Sequence, residues 1–454
     1  MTINPQSVAT DLSVFISADR VHRAGSQPFD EGTRLWNGAI AHRPDVVVQP
    51  TSEADVQAVV RYARDTKVPI AVRGGGHDWA GRSLIAGGVV IDMSSMRSVD
   101  IDTDTATARL AGGARASDVA AAAESVGLAP ATGAIGEVGM VGLTLSGGYG
   151  WLNGIAGLAL DNLIEAKIVL ADGSAVTANA ELEPDLFWAV RGGGGNFGIV
   201  TEMSIKLHPV SLCTAGVIGF GWKEAAEVLH GFNELAPTMP DELTVPISAA
   251  TGPDGGPALF LWPAWSGAPE ASADWVARLA GLGQPFLTHV APMPYPAVLE
   301  LIAPYIVWGR HYEMRTCNLP AFTDEAIAAL IRAVDNRATE FSGFSIHHFH
   351  GAATRVPLEQ SAFGVRQPHF MVEILAGWEP DADGAAACDW AAAVYDDLAV
   401  HALDGGYPSL IGPEQAKQAG TAYGPNADRL TALKQRYDPN EIFSATTLPS
   451  TSTR

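Results

Sequence analysis

Three short segments of the chain, residues 73–81, 133–157 and 191–198, are rich in glycine. They hold 18 of the 48 glycines in this 454-residue chain, whereas an average glycine content of about 7% would place about three there. Glycine permits positive φ and lets a backbone lie flush against a ligand. Main-chain N–H groups in such loops bind phosphate without basic side chains. The three loops therefore predict one long, flat, polyanionic ligand that the main chain surrounds.

None of these segments is a standard nucleotide motif. The pattern GxxxxGK[ST] is absent, and the stretch from Gly192 to Phe197 lacks the third glycine of GxGxxG. A strand, Ile199–Leu207, follows where a dinucleotide site requires a helix. The alternative is three tight turns without a ligand, which would be an unfavourable use of glycine because it loses the most conformational entropy on folding.

Two side chains are candidates for chemistry of their own. His77 directly follows three glycines, and a neutral imidazole nitrogen is a good nucleophile near neutral pH. Its alternative role is that of a turn or core histidine. Glu373 lies in the middle of a predicted strand, between apolar residues, which makes it a candidate base. Its alternative role is that of a glutamate on a strand edge.

A cluster of histidines suggests a metal site but does not complete one. In the predicted strand Ser345–His350, His348 and His350 share one face and His347 opposes them. No third ligand accompanies the pair, so we predict no metal site, and cavity lining or surface for these side chains. The three cysteines of the chain are far apart and form neither a CxxC pattern nor a disulfide framework.

The elements that must position these residues alternate between helix and strand, which indicates an α/β or α+β fold. Ser52–Lys67 is a predicted helix capped by its first residue. Ile70–Arg73 is a predicted strand that runs directly into the loop of His77. Beyond Pro209 glycine is no longer clustered, and strands such as Ala258–Trp265 mix with alanine-rich helices. This change predicts a second, α+β domain.

The charge balance limits the partners. The chain has 28 Lys and Arg against 50 Asp and Glu, a net charge of −22, and that field repels nucleic-acid backbones and anionic lipid. The N-terminus lacks the basic and apolar regions of a signal peptide, and no apolar run is long enough to span a membrane. We expect a cytoplasmic protein that binds neither nucleic acid nor membrane, as a monomer or a small homo-oligomer.

Several segments of the chain form an ordered set. They are Pro50–Ser52, Val72–His77, Val138–Trp151, Ala156–Asn162, Asp185–Gly194, Tyr423–Asn426 and Lys434–Pro439. In this order they resemble the FAD-binding domain of the vanillyl-alcohol-oxidase and p-cresol-methylhydroxylase superfamily. Within that superfamily the chain resembles the berberine-bridge-enzyme-like oxidases, and it is similar to their branch with a single histidyl link to FAD, which includes 6-hydroxy-D-nicotine oxidase.

The resemblance implies an α+β fold in which a p-cresol-methylhydroxylase-type FAD-binding domain of two α/β subdomains adjoins a substrate domain with an antiparallel sheet flanked by helices. Residues 1–210 would form the first domain, residues 211–404 the second, and residues 405–454 a segment that returns to the first. The residues expected to bind FAD are Arg73, Gly74, Gly75, Gly76, His77, Asp78, Gly139, Gly142, Ser146, Gly147, Gly148, Gly150, Trp151, Asn162, Ile199, Val200 and Asn426.

The resemblance also implies how the cofactor is attached. His77 aligns with the family histidine that bonds covalently to the flavin 8α-methyl group. Many relatives add a second link through a cysteine, but Ile135 occupies that position here, so a single histidyl link is expected. Val138 occupies the oxygen-gating position, where a valine accompanies fast reaction with O2. An oxidase is therefore favoured over a dehydrogenase.

The substrate side departs from the family pattern. Many relatives carry Tyr-x-Asn-Tyr where this chain has Tyr407–Leu410, so the usual base of sugar oxidases is absent and a carbohydrate substrate is less favoured. Candidate catalytic residues are Glu373, Tyr312, Tyr423 and Val138. Candidate substrate-lining residues are His348, His350 and Leu375.

The expected reaction follows from these residues and from the resemblance. A hydride passes from a C–H bond of an alcohol, a phenolic compound or a cyclic amine to FAD, and O2 reoxidises the flavin to give H2O2. The alternatives are a flavin dehydrogenase with another electron acceptor, a carbohydrate oxidase, and a flavin-binding protein without catalysis. The expected partners are thus a small-molecule substrate and O2.

Overall fold

The computed structural model describes residues 5–449. The first sheet combines three parallel strands with one short antiparallel edge strand. Its members are β1 (Val21–His22), β2 (Val46–Val48), β3 (Ile70–Arg73) and β4 (Val89–Asp92). They lie in the order β1-β2-β4-β3. β2 and β4 are buried along their whole length, as valine-rich parallel strands covered on both faces must be.

The second sheet is antiparallel. Its members are β5 (Val99–Asp102), β6 (Thr107–Ala111), β7 (Ala129–Pro130), β8 (Leu163–Val169), β9 (Ala175–Asn179) and β10 (Ile199–His208). The order is β5-β6-β10-β8-β9, and β7 pairs with the far end of β10. The two sheets together contain all three glycine-rich segments in their connections, which brings distant loops to one place.

The third sheet is antiparallel throughout and forms the second half of the molecule. Its members are β11 (Leu212–Gly221), β12 (Leu243–Thr244), β13 (Ile247–Thr251), β14 (Pro257–Leu261), β15 (Ala264–Trp265), β16 (Leu287–Pro294), β17 (His311–Leu319), β18 (Gly343–Phe349) and β19 (His369–Trp378). They lie in the order β12-β15-β11-β14-β13-β18-β19-β17, and β16 pairs with β11.

Helices surround the sheets. They are α1 (Pro5–Leu12), α2 (Gln27–Gly32), α3 (Glu53–Thr66), α4 (Ala116–Glu124), α5 (Met140–Ser146), α6 (Asn153–Ala156), α7 (Pro184–Val190), α8 (Ala225–Leu235), α9 (Ser272–Ala280), α10 (Tyr295–Val298), α11 (Asp324–Asp335), α12 (Ala352–Arg355), α13 (Ala385–Ala399), α14 (Ala416–Ala422) and α15 (Ala427–Tyr437). The mixture of helices with a parallel and two antiparallel sheets confirms the predicted α+β class.

The predicted helix at residues 52–67 is present as α3. Ser52 is its N-cap: the Ser52 hydroxyl accepts a hydrogen bond from the Asp55 N–H at 3.2 Å, and the Asp55 carboxylate accepts one from the Ser52 N–H at 3.1 Å. This reciprocal capping box satisfies N–H groups that the first turn leaves unpaired. Val56, Val59 and Val60 are fully buried, as their helical spacing predicts.

One predicted strand is divided. The pattern predicts a single strand over Ala258–Trp265, but the structure has β14 and β15 with a break at Trp262 and Pro263. Proline has no N–H to donate to a ladder, so a central strand cannot run through it. The break has a consequence for the cavity described below, because it leaves the Trp262 side chain on the cavity wall.

One face of the third sheet packs against helices. Ile346 of β18 and Val372 and Ile374 of β19 are fully buried in a core that α8, α11 and α13 cover. Successive residues of a strand point to opposite faces. The residues of β18 and β19 that alternate with these three therefore face away from the helices, toward the glycine-rich loops.

The C-terminal segment returns to the first half of the molecule. α15 packs against α7, and the Lys434 ammonium donates to the Asn196 carbonyl at 2.8 Å. The Asn196 amide in turn donates to the Thr446 carbonyl at 3.0 Å. These contacts tie residues 427–446 to the third glycine-rich segment; the boundaries at 210 and 404 stay a prediction.

Candidate active site

A cavity of about 740 Å³ lies between the glycine-rich segments and the third sheet. One wall is made by all three glycine-rich segments and residues 443–446, and the other by β13, β18 and β19. The predicted cofactor-binding residues that line it are Gly74, Gly75, Gly76, His77, Asp78, Gly139, Gly142, Ser146, Gly148, Trp151, Ile199 and Val200. Residues up to about 125 positions apart in sequence thus meet at one wall.

Three other predicted cofactor-binding residues lie outside this lining and bind the protein itself. Arg73 donates to the Asp92 carboxylate at 3.0 Å, and both side chains are buried. The Asn162 amide donates to the backbone carbonyls of residues 156 and 158. The Asn426 amide donates to those of residues 358 and 361. None of these three side chains reaches the lining, contrary to the prediction that they bind the cofactor directly.

Two predicted glycines also lie outside the lining. A Cβ on Gly147, which has φ +144°, would lie 2.2 Å from the Tyr407 hydroxyl oxygen. A Cβ on Gly150 would lie 2.2 Å from the Thr132 carbonyl oxygen. Both distances are far below van der Waals contact, so these glycines permit close packing of the protein behind the cavity wall.

The first two glycine-rich loops approach most closely at two glycines. A Cβ on Gly75 would lie 2.4 Å from the backbone nitrogen of Gly139, and a Cβ on Gly139 would lie 2.6 Å from that of Gly75. By contrast, a Cβ on Gly74 or Gly142 would meet no protein atom within 4 Å, although both residues line the cavity. The loops are therefore packed against each other on one side and open to a ligand on the other.

The main chain of the first loop has free donors. Within residues 5–449, the backbone N–H groups of Gly75, Gly76, His77 and Asp78 have no hydrogen-bond acceptor. Consecutive free N–H groups in a loop with a positive-φ residue, here Gly76 at +77°, form a concave anion site. Together with the open faces of Gly74 and Gly142, these donors fit the pyrophosphate and ring system of the expected FAD.

His77 is held in an aromatic enclosure on this wall. Its ring meets Trp308 edge-on with 4.9 Å between centroids and lies parallel to Trp36 at 6.4 Å. Its Nε2 is buried without a hydrogen-bond partner, and the nearest carboxylate oxygen, Oε2 of Glu137, is 3.6 Å away. Burial lowers the pKa of His77 to about 4, outweighing the opposite effect of Glu137. The imidazole is therefore neutral at pH 7, as a nucleophile must be.

The opposite wall carries a polar cluster centred on Glu373. The Tyr149 hydroxyl donates to Oε1 of Glu373. Nε2 of His347 lies 3.5 Å from Oε2 of Glu373 and 3.2 Å from the Ser345 hydroxyl. Glu373, Tyr149, His347 and Ser345 all line the cavity. The structure therefore places the predicted candidate base on the cavity, with a hydrogen bond to one carboxylate oxygen and a histidine ring near the other.

A second tyrosine, Tyr407, packs against this cluster and also lines the cavity. The Tyr407 ring meets the Tyr149 ring edge-on at 5.0 Å, and its hydroxyl accepts a hydrogen bond from the Gly148 N–H. Burial raises the pKa of both tyrosines above their usual value. Both hydroxyls therefore stay protonated at pH 7 and act as hydrogen-bond donors or acceptors, not as phenolates.

The histidines of β18 differ from the prediction. We expected His348 and His350 to line the substrate cavity, but the lining contains His347 instead. The His348 ring stacks on Phe370 at 4.9 Å and on His350 at 4.4 Å, on the helix side of the sheet. Burial lowers the pKa of both rings, so they are neutral. The reason is the strand alternation: Ile346 is in the helix-covered core, so His348 follows it there and His347 faces the cavity.

The remaining predicted catalytic residues divide between cavity and core. Val138 and the predicted substrate-lining residue Leu375 line the cavity. Tyr312 lies behind it, stacked on Trp36 at 4.1 Å, with its hydroxyl donating to the carbonyl of residue 307. Tyr423 is fully buried in the core of the first half, where burial raises its pKa to about 12 and its hydroxyl lies 3.2 Å from the Thr446 hydroxyl. Neither tyrosine reaches the lining.

Two signals in the sequence could have identified the residues that the prediction missed. Tyr149 is the one large polar side chain within the Gly147–Gly150 run, where a tyrosine has no turn-forming use. The apolar residues at every second position of β18 mark the core face, which assigns His347 to the other face. Tyr407 could not have been connected to Gly148, because 259 residues separate them.

Part of the cavity lining is aromatic. This part consists of Phe260, Trp262, Tyr305, Phe341 and Phe344. Trp262 meets Tyr305 edge-on at 5.8 Å, and its indole N–H donates to the Ser248 hydroxyl at 2.9 Å. Such a surface binds flat apolar rings through edge and face contacts.

Residues 5–449 contain neither a membrane-spanning helix nor a cluster of metal ligands. No helix in this range has the length and apolar character needed to cross a membrane. The same range contains no group of three or more His, Cys, Asp or Glu side chains arranged to hold a metal ion.

Two family models match the chain. One, described as FAD binding domain, matches residues 44–179. The other, described as berberine and berberine like, matches residues 412–447. The first covers two of the three glycine-rich segments, and the second covers the C-terminal segment that reaches the cavity.

Relatives and solved structures match nearly the whole chain. It is 32% identical over 445 residues to the FAD-linked oxidoreductase aurO of Gibberella zeae, across 97% of this chain and 87% of the relative. It is 31% identical over 431 residues to (R)-6-hydroxynicotine oxidase of Paenarthrobacter nicotinovorans, across 91% and 93%. The crystal structure of 6-hydroxy-D-nicotine oxidase from Arthrobacter nicotinovorans matches with a TM-score of 0.85 and 28% identity, across 95% and 97%.

Proposed function

The chain belongs to the berberine-bridge-enzyme-like FAD-linked oxidoreductases of the vanillyl-alcohol-oxidase superfamily, and we propose that it acts as an oxidase with FAD bound covalently to His77. Its reaction removes a hydride from a C–H bond of a phenolic compound, a cyclic amine or an alcohol and passes the electrons to O2. One observation carries the proposal: the same cavity has free main-chain donors and His77 on the loop wall and Glu373 and His347 on the sheet wall, with Tyr149 of the second glycine-rich segment donating to Glu373.

When bound, FAD supplies a hydride acceptor and a route for two electrons to O2, with H2O2 as the product. The first glycine loop would hold the pyrophosphate through the N–H groups of residues 75–78. A single link through His77 is supported by the cavity lining, which has Ile135 and no cysteine. Cys213 and Cys317 lie elsewhere in buried positions, where burial raises each thiol pKa to about 12.

The Glu373 cluster would bind and deprotonate the substrate. An alcohol, phenol or amine loses a proton as well as a hydride, so it needs a group that accepts this proton. The Glu373 carboxylate lines the cavity. The Tyr149 hydroxyl donates a hydrogen bond to its Oε1, and the His347 ring lies 3.5 Å from its Oε2. Tyr149, which is protonated, would also orient a substrate oxygen or nitrogen by donating a hydrogen bond.

The aromatic part of the cavity lining favours an aromatic substrate. Phe260, Trp262 and Phe341 would pack against a flat ring, while a sugar would leave its hydroxyl groups unpaired there. A relative of similar length is named for oxidising 6-hydroxynicotine, which combines an aromatic ring with a cyclic amine. We therefore place phenolic and cyclic-amine compounds ahead of oligosaccharides.

Reaction with O2 is the feature that separates an oxidase from a dehydrogenase. Val138 lines the cavity directly beside Gly139, which touches the His77 loop. The test is to reduce the purified protein anaerobically with dithionite and to mix it with O2 or with a quinone. Fast reoxidation by O2 with stoichiometric H2O2 is expected. Slow reoxidation by O2 and fast reoxidation by the quinone would instead identify a dehydrogenase.

The substrate class can be tested in the same apparatus. We would mix the oxidised protein anaerobically with each enantiomer of 6-hydroxynicotine, with vanillyl alcohol and with xylobiose, and follow loss of the flavin absorbance. Reduction by a phenolic amine or alcohol is expected. Reduction of the flavin by xylobiose alone would identify a carbohydrate oxidase. A purified protein without flavin absorbance would contradict the whole proposal.

A further inference from the structure

Glu137 and Trp308 both contact His77, and neither has a role in the substrate oxidation proposed above. Oε2 of Glu137 accepts a hydrogen bond from the Trp308 indole N–H at 2.8 Å, and the same oxygen lies 3.6 Å from Nε2 of His77. The His77 side chain is about nine-tenths buried, whereas that of Glu137 is half exposed. A carboxylate held in this way connects a buried imidazole nitrogen to solvent.

The position of Glu137 determines which imidazole nitrogen can react. A neutral imidazole has one N–H and one lone pair, and a carboxylate beside one nitrogen keeps the hydrogen on that nitrogen. The negative charge on Glu137, whose Oε2 lies 3.6 Å from Nε2, favours the tautomer with the hydrogen on Nε2 and the lone pair on Nδ1. Nδ1 makes no hydrogen bond within the described residues and is therefore available to form a bond.

We propose that Glu137 is the positioning residue for covalent attachment of FAD: it orients His77 with Nδ1 as the nucleophile and takes up the Nε2 proton when the bond forms. The inference rests on the histidyl link proposed above. Trp308 assists by fixing Oε2 of Glu137, and its ring keeps the imidazole from rotating away.

Covalent attachment of FAD to His77 oxidises the 8α-methyl group. A bond forms between Nδ1 of His77 and C8α of FAD, and one C8α–H bond breaks. His77 also loses its Nε2 hydrogen, because the alkylated ring would otherwise be an imidazolium. The C8α–H bond supplies one proton and two electrons, and Nε2 supplies the second proton through Glu137. Together they would reduce the isoalloxazine, and dioxygen would then take both protons and both electrons as H2O2.

The charges around His77 explain why a carboxylate is needed. Burial and the guanidinium groups of Arg115 and Arg73 all disfavour a positive ring and lower its pKa, and Glu137 is the group that opposes them. A transient positive charge on the imidazole therefore depends on Glu137 for stabilisation, much as a carboxylate stabilises the histidine of a catalytic triad.

The test measures attachment and not turnover. Apoprotein of the full chain, produced under riboflavin limitation, is mixed with FAD in air, and timed samples are precipitated with acid to separate bound from free flavin. Glu137→Gln keeps the size of the side chain and loses its charge. We expect it to slow covalent attachment by about 10- to 100-fold, with the initial non-covalent affinity for FAD within about twofold of wild type.

Two further variants separate positioning from folding. Glu124→Gln changes an exposed carboxylate at the end of α4, outside the cavity lining, and should attach FAD at the wild-type rate. Glu137→Asp should restore part of the rate that Glu137→Gln loses, which a merely structural role would not predict. Equal rates for wild type and Glu137→Gln would overturn this inference alone. A wild-type protein that releases all its FAD in acid would overturn the histidyl link and this inference with it.

Discussion

The two walls of the cavity are built by different means. The wall of glycine-rich loops presents main chain: free N–H groups at residues 75–78 and open faces at Gly74 and Gly142. The wall of the third sheet presents side chains, among them Glu373, His347 and Phe344, and Tyr149 of the second glycine-rich segment reaches across to Glu373. A main-chain wall fits one cofactor and tolerates little change, whereas a side-chain wall can be altered residue by residue. In the proposed function, the first wall would bind the cofactor and the second would select the substrate.

The largest effect should come from the side-chain wall. Glu373→Gln removes the carboxylate that would accept the substrate proton, and we expect flavin reduction to slow by about 10²- to 10⁴-fold. Anaerobic stopped-flow with the compound that reduces the wild type measures this rate. Covalent FAD content should be unchanged, because Glu373 lies on the opposite wall from His77.

Glu313→Gln is the matched control. Glu313 is on the neighbouring strand β17, outside the cavity lining, and pairs with Arg315 at 3.4 Å. The flavin of the Glu313→Gln variant should be reduced at close to the wild-type rate. A rate for Glu373→Gln within threefold of this control would show that the cluster does not accept the proton.

The next effect tests whether the two halves of the molecule are held together by charge. Asp161, from the first half, accepts two hydrogen bonds from Arg366, from the second, at 2.7 and 2.9 Å, and both side chains are buried. Arg366→Met leaves a buried carboxylate uncompensated, so we expect a loss of about 3–5 kcal/mol in the free energy of unfolding. Urea denaturation followed by tryptophan fluorescence measures it.

An exposed pair gives the comparison. Arg355 and Asp241 also form an ion pair, but 60% and 38% of their side-chain surface is exposed. Arg355→Met should change the free energy of unfolding by about 0–1 kcal/mol. If the two arginine variants lose equal stability, burial of the Asp161–Arg366 pair has no special role in joining the halves.

The main-chain wall can be tested with two adjacent glycines. Gly75→Ala forces a Cβ into the backbone of Gly139, and we expect a loss of about 1–3 kcal/mol in folding stability. Gly74→Ala meets no protein atom within 4 Å, so its stability should match the wild type while its affinity for FAD falls. Thermal unfolding of the apoproteins and FAD titration measure the two effects. Wild-type FAD affinity for Gly74→Ala would show that this loop does not carry the cofactor.

The smallest effect concerns the aromatic part of the cavity lining. Ser248→Ala removes the acceptor of the Trp262 indole N–H, a hydrogen bond worth about 0.5–1.5 kcal/mol. We expect that loss in folding stability, measured by urea denaturation, with covalent FAD content unchanged. A change in FAD content would show that the two walls are not independent.

The main-chain wall could be predicted from the sequence because its requirements are local. A loop that must adopt positive φ, touch another backbone or bind phosphate through N–H groups needs glycine at those positions, and clusters of glycine are visible without any structure. The same holds for α3, whose cap at Ser52 and buried valines follow from short-range spacing. The ordered loops and their resemblance to a family then identified the cofactor.

The side-chain wall could be predicted only in part. Glu373 and Leu375 were identified, but His348 and His350 were assigned to the wrong face because the parity of β18 depends on which side the helices cover. Tyr149 and Tyr407 meet across 258 positions, and their contact depends on the path of the whole second half. Long-range pairing of this kind leaves no local pattern in the sequence.

Acid precipitation of the full-length protein tests the central claim most directly. Wild-type protein, with His77 on the main-chain wall, should carry its FAD into the pellet, with one FAD per chain by absorbance and a matching increase in mass. His77→Ala should release all of its FAD into the supernatant. Release of FAD from the wild type, or retention by His77→Ala, would contradict covalent attachment at His77.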